Sequence, residues 1–196
     1  MKKYLNMNTL YIAAAIIAVS AFLLPRVIEA INLQVNGISH IAEQVDDYYK
    51  ITEPVDGEFT VELDLNDLAS NEGKILFDDG ESQISVLEVV QRKETGYEVI
   101  FRSHGKELQN GAALVSGIDH LRTETGLVQS IYAVGEVVGN DREAISLRPS
   151  SWSGLDYHDG DRFGFYLDAP AEDANTVEVT VTNLQLNLWI EKAIFR

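Results

Sequence analysis

The sequence predicts a mainly β protein: an antiparallel β-sandwich head of jelly-roll type, behind a long N-terminal α-helix that is apolar in its first half. Three observations carry this. The run Leu10–Leu24 contains only Ser20 as a polar residue. An apolar stripe at helical spacing continues past that run to Tyr49. From Asp56 onward, apolar residues recur at every second position between glycine-bearing turns.

The segments then read in order as a short basic N-terminus over 1–9, an anchor or assembly helix over 10–50 and an acidic head over 51–196. Lys2 and Lys3 precede the apolar run. At about 1.5 Å per residue, Leu10–Leu24 covers roughly 22 Å, short of the roughly 30 Å of a bilayer core. Counting from Tyr4 reaches that length, with Tyr4 and Tyr11 as interfacial anchors. Two fates are open to such a segment. One is a cleaved signal peptide with its cut at Ala30 and a secreted head. The other is a retained membrane anchor whose lysines hold the N-terminus inside and place the head outside the cytoplasm.

The stripe favours retention. Ile17, Ala21, Leu24, Ile28, Ile31, Val35, Ile38, Ala42, Val45 and Tyr49 succeed one another by steps of four and three, the a/d seam of a packed helix. A leader that is removed has no reason to share register with the mature chain behind it. The expectation is one rod through residue 50, kinked at Pro25 and weakened at Gly37. Leu24, Ile28, Ile31, Val35, Ile38 and Val45 are its candidate self-association residues. The seam faces either neighbouring copies, as an oligomer or filament, or the head's own core.

The head begins beyond a short linker, "ITEPVDG", where Pro54 ends anything helical. "EFTVELDL" alternates cleanly. Further strands are expected at 75–77, 84–90, 97–102, 112–118, 128–138, 144–147, 163–167, 177–182 and 184–190. Turn signals separate them, among them Asp56-Gly57, Asp79-Gly80, Asn110-Gly111 and Asp159-Gly160. In "TVEVTVTNLQLNLWI" the alternation slips by one residue at Asn183, the mark of a bulge or bend.

Charge narrows the partners. The net charge is −16, yet residues 1–50 hold four acids and four bases, so 27 acids against 11 bases belong to 51–196. Such a surface repels nucleic acid and anionic lipid. Cysteine is absent, which removes disulfide, thiol and zinc-thiolate chemistry.

The densest cluster of chemical groups is "SSWSGLDYHDGDRFGFYLD", residues 150–168. Asp156, Asp159 and Asp161 offer hard oxygen ligands for Ca2+, and Trp152 and Tyr157 offer flat faces for a glycan ring. The spacing is not that of a helix-loop-helix calcium loop, and "HDGD" also serves as a plain hairpin turn whose Asp-Gly supplies positive φ. The turn "FDDGES" (Asp78, Asp79, Glu81) reads the same way. His40, His104, His120 and His158 show no paired metal-ligand spacing. Ser116, His120 and Asp119 could be drawn as a hydrolytic trio, but no G-x-S-x-G elbow accompanies them. No phosphate-binding glycine loop is present. The residues favour a structural or adhesive role over catalysis.

The layout of residues 4–50 resembles type IV pilins and their pseudopilin relatives: a long N-terminal helix, apolar in its first half and interrupted by a proline, ahead of a β-rich head. With Tyr4 as first mature residue, Pro25 falls about where that family's proline does. Lys3 and Asn8 stand where prepilins carry a small residue and a glutamate. The resemblance implies a filament subunit whose helices bundle at the centre.

Overall fold

A computed structural model describes residues 7–44, 46–92, 96–138, 144–168 and 175–192. The chain falls into two compact units, Met1–Asn36 and Gly37–Arg196. The first contains helix α1 (Met7–Asn36), 30 residues that continue through Pro25.

The expected single rod ends early. Gly37 has φ 56, a left-handed turn that glycine adopts without a Cβ penalty. A Cβ there would also collide with the His158 carbonyl group. A six-residue helix, α2 (Ile38–Glu43), comes next within the second unit. Its Ile38, Ile41 and Ala42 are buried, and the Ile38 amide donates to the His158 carbonyl at 2.9 Å. Residues 48–55, expected as rod end and linker, form strand β1 (Tyr48–Val55). Pro54 is accommodated because β1 pairs on one side only, where a missing N–H costs least.

The second unit is mainly β, and among the described residues every strand pair is antiparallel. One four-stranded sheet runs β1, β15 (Leu184–Glu191), β7 (Gly111–Ser116), β6 (Lys106–Leu108). A second runs β11 (Ala144–Ser146), β10 (Val134–Val138), β14 (Thr176–Thr182), β2 (Phe59–Asp64). The five-stranded sheet runs β12 (Arg148–Tyr157), β13 (Gly160–Leu167), β5 (Gly96–His104), β4 (Gln83–Arg92), β3 (Ile75–Asp78). A separate hairpin joins β8 (Ile118–Thr123) to β9 (Gly126–Ile131).

The sheets close on one core. Ile84, Val86, Val99, Phe101, Phe163 and Phe165 from the five-stranded sheet share a buried cluster with Val61, Leu63, Val115, Val179, Val181 and Leu184 from the other two. Phe101, Phe163 and Phe165 form a ring triangle with centroids 5.5, 6.4 and 6.1 Å apart. Each such side chain taken from water contributes about 1.5–3 kcal/mol.

Two expected strands divide. The run 112–118 breaks at Gly117, whose added Cβ would crowd Ala133 and the Phe163 ring at 2.8 Å. The run 128–138 becomes β9 and β10, which pair with different partners. The slip at Asn183 is a bend. With φ 57, the one described non-glycine residue in the left-handed region, it separates β14 from β15 and sends them into different sheets.

Candidate functional site

The hairpin between β12 and β13 carries the acidic loop, and its residues go four different ways. Trp152 and Asp156 are exposed. Asp159 turns back onto β5. One of its oxygens accepts from the Arg102 guanidinium, and the other lies 3.0 Å from His104 Nδ1. Burial pushes the Asp159 carboxyl up, but the His104 bond and the charge and bond of Arg102 outweigh it, so the net direction is down. Arg102 also donates through Nη1 to the Ser103 and Asp161 carbonyls, at 2.6 and 3.2 Å. Its guanidinium lies 3.6 Å from the Tyr157 ring centre. Tyr157 therefore stacks on its own chain's cation, the favoured geometry for a positive group on a ring face.

Asp161 points inward and is fully buried. Ser116 Oγ, on β7, lies 2.8 and 2.7 Å from its two carboxylate oxygens, and His120 Nε2, on β8, lies 2.5 Å from one of them. The Ile118 amide donates to Ser116 Oγ at 3.0 Å. Asn187 on β15 completes the cluster. Its Oδ1 accepts from the His120 amide at 3.1 Å, and its Nδ2 donates to the Ile118 carbonyl at 2.8 Å. This polar knot ties three strands and the β8–β9 hairpin together at one end of the core.

The calcium expectation is not met in this loop. Asp156, Asp159 and Asp161 do not converge, and among the described residues no group of three carboxylate or histidine side chains is placed to hold a metal ion. The hairpin turn expected at Asp159-Gly160 is present, but positive φ is not its cause. Gly160 is not in the left-handed region; it is glycine because a Cβ would collide with the Ser103 carbonyl on β5. Asp78 and Asp79 fold back on their own turn, accepting from Gly80 N at 2.9 Å and from Glu81 N and Ser82 N at 2.8 and 2.7 Å.

The hydrolytic trio is also rearranged. Ser116 and His120 do meet, but through Asp161 between them, so the imidazole makes no hydrogen bond to the hydroxyl it would have to activate. All three are fully buried, which keeps substrate away. Asp119 faces elsewhere, accepting from Lys50 Nζ at 2.6 Å and Thr52 Oγ1 at 2.8 Å on β1. Burial lowers the Lys50 amine, and the Asp119 partner only partly offsets it.

The six seam residues separate likewise. Leu24, Ile28, Ile31 and Val35 lie exposed on α1, with Val35 at 68%, whereas Ile38 is 0% exposed inside the second unit. Val45 lies outside the described residues. Sequence reading misses Asp161 as the centre of a buried cluster and Asn187 altogether. The one signal for Asp161 is its shared parity with Phe163 and Phe165, just ahead of the expected strand; Asn187 alternates with Leu186 and Leu188 and so reads as an outward-facing residue.

Compared with known proteins, the chain matches no family model, no curated protein and no solved structure. Among the described residues, the feature suited to a membrane is α1. Met7–Pro25 has mean hydropathy 2.0 and none of it is covered by protein, long and apolar enough to cross a bilayer or to act as a signal sequence.

Proposed function

We propose that α1 tethers the chain in a membrane and displays the acidic β head outside the cytoplasm, as a structural or adhesive surface protein. The observation that carries this is the uncovered 19-residue span Met7–Pro25. A soluble helix hides an apolar stripe against its own protein; this one is apolar on every side and hides none. Lipid supplies the missing cover. Lys2 and Lys3 ahead of the span orient it with the N-terminus inside, and the anionic excess of 51–196 is then kept from the cytoplasmic leaflet.

A bilayer core takes about 20 helical residues. α1 has 30, so about ten outlast it. Those ten still carry Ile28, Ile31 and Val35, all more than half exposed. We assign this stretch to contact with the same stretch of a second copy, the arrangement that the likeness to pilins also implies.

Recovery of the protein from cells tests the tether. Alkaline carbonate should leave it in the membrane pellet with residues 7–25 intact, and protease added to intact cells should digest the head. A mature chain beginning at Ile31 and free in the medium overturns it. For association, Ile28→Ser with Val35→Ser should lower the sedimentation coefficient in detergent without changing the head's melting. An unchanged coefficient removes the second copy and leaves the anchor.

A further inference from the structure

The head holds a cleft that the tether does not use. It lies between α2 with the turn after it and the β8–β9 hairpin. Its outer part is a broad, solvent-open hollow of about 730 Å³, and a more closed pit of about 220 Å³ adjoins it, sharing Gln44 and Arg122 as lining. The pit is walled by Ile41, Tyr48, Leu121 and Trp189. Its volume is many times what a single water needs and leaves room for one large apolar side chain. Lys50 also lines it, but its charge is answered by Asp119.

The outer part has the opposite character. Glu43, Asp46, Asp47 and Glu124 face it, and Arg122 is the one cation among its described lining residues. An anionic or purely apolar ligand would meet either repulsion at the mouth or an unused rim. An apolar anchor flanked by positive groups satisfies both parts at once, with the pit supplying burial and the rim steering and orientation.

We infer that this cleft is a recognition site for a peptide segment bearing a large apolar side chain between lysines or arginines. The charge of the head works in the same direction, because a surface with 27 acids and 11 bases attracts cationic partners along its whole approach. The inference does not depend on the membrane tether.

The protein has two tryptophans, and Trp152→Phe leaves Trp189 in the pit as the sole reporter. Full-length chain in non-ionic detergent is titrated with acetyl-Lys-Lys-Leu-Lys-Lys-amide while Trp189 fluorescence is monitored. A saturable change is expected, absent or much weaker with serine in place of leucine. Asp46→Asn with Asp47→Asn should weaken binding about five- to ten-fold at low salt, the effect of two rim charges. Glu62→Gln with Glu178→Gln, a matched loss of charge on β2 and β14, should leave it unchanged. Three results overturn the site: no saturable change up to millimolar peptide, equal response to the serine peptide, or equal weakening by both charge pairs. Melting curves confirm that each variant remains folded, and if the Asp46/Asp47 variant melts early, Leu121→Ser replaces it with the same expected loss.

Discussion

Helix α1 and the β head are built from the same apolar residue types and place them in opposite ways. On α1, Leu10, Ile12, Ile16, Phe22 and Ile31 are all about half exposed or more. In the head, Ile84, Leu114, Phe101 and Phe163 are wholly enclosed, and even polar side chains such as Ser116, His120, Asp161 and Asn187 are inside. The head satisfies its apolar surface internally and still has room for a bonded polar cluster. Among the described side chains of α1, none is buried. The difference teaches that fold and location are separate problems in this chain, the first solved by residues after Gly37 and the second left to the surroundings of residues 7–36.

Substitutions that strike one region and spare the other sharpen this contrast. The largest effect is expected from Asp161→Ala, which strands a buried imidazole and a buried hydroxyl and should cost about 1–3 kcal/mol for each. The head should lose its cooperative melting transition while α1 keeps the protein in the membrane fraction. Unchanged melting would mean the cluster contributes no stability. Next comes Ile16→Arg, a charge near the middle of the apolar span, worth about 3 kcal/mol against insertion. It should move the chain from pellet to supernatant and leave the head's melting temperature where it was. A joint loss of both properties in either variant breaks the division into two regions.

Acid provides a smaller test. Asp159 and Asp119 are held below the ordinary carboxylate value of about 3.9, so the stability they add is present above that value and is lost as pH falls through their lower folded values. The melting temperature should therefore drop below about pH 4, and less steeply in Asp159→Asn. Because Asp159 is partly solvated, the difference belongs to the surface-pair scale of about 0.2–1 kcal/mol. The smallest effect concerns Glu178 and Glu62, which stand directly opposite each other on β14 and β2, both exposed. Like charges so placed repel, and Glu178→Lys should stabilise the head by a few tenths of a kcal/mol on calorimetry.

The two regions are unequally legible from sequence. The existence and apolar length of α1 come from consecutive residues, which need no tertiary information. Its end does not. Ile38 and Ala42 continue the spacing of Ile31 and Val35 across Gly37, so the sequence shows one period where the structure has two helices. The alternating strands of the core are readable because each packs one face. β1 is not: its Lys50, Thr52, Glu53 and Pro54 look like linker, and an edge position tolerates them. β12, with three serines and a proline on an edge strand, escapes for a similar reason. The polar cluster is hidden by distance, since Ser116 and His120 lie 45 and 41 residues from Asp161 and only the closed sheets bring them together.

The bend at Asn183 has a consequence in time. β14 lies between β10 and β2, and β15 lies between β1 and β7, so the stretch Thr176–Glu191 runs through the interior of two sheets in succession. Until that stretch leaves the ribosome, β1 and β2 have no hydrogen-bonding neighbour and wait as bare ribbons. One continuous stretch, bent at a single asparagine, therefore supplies the hydrogen-bonding neighbour of both β1 and β2 and couples the completion of the two sheets.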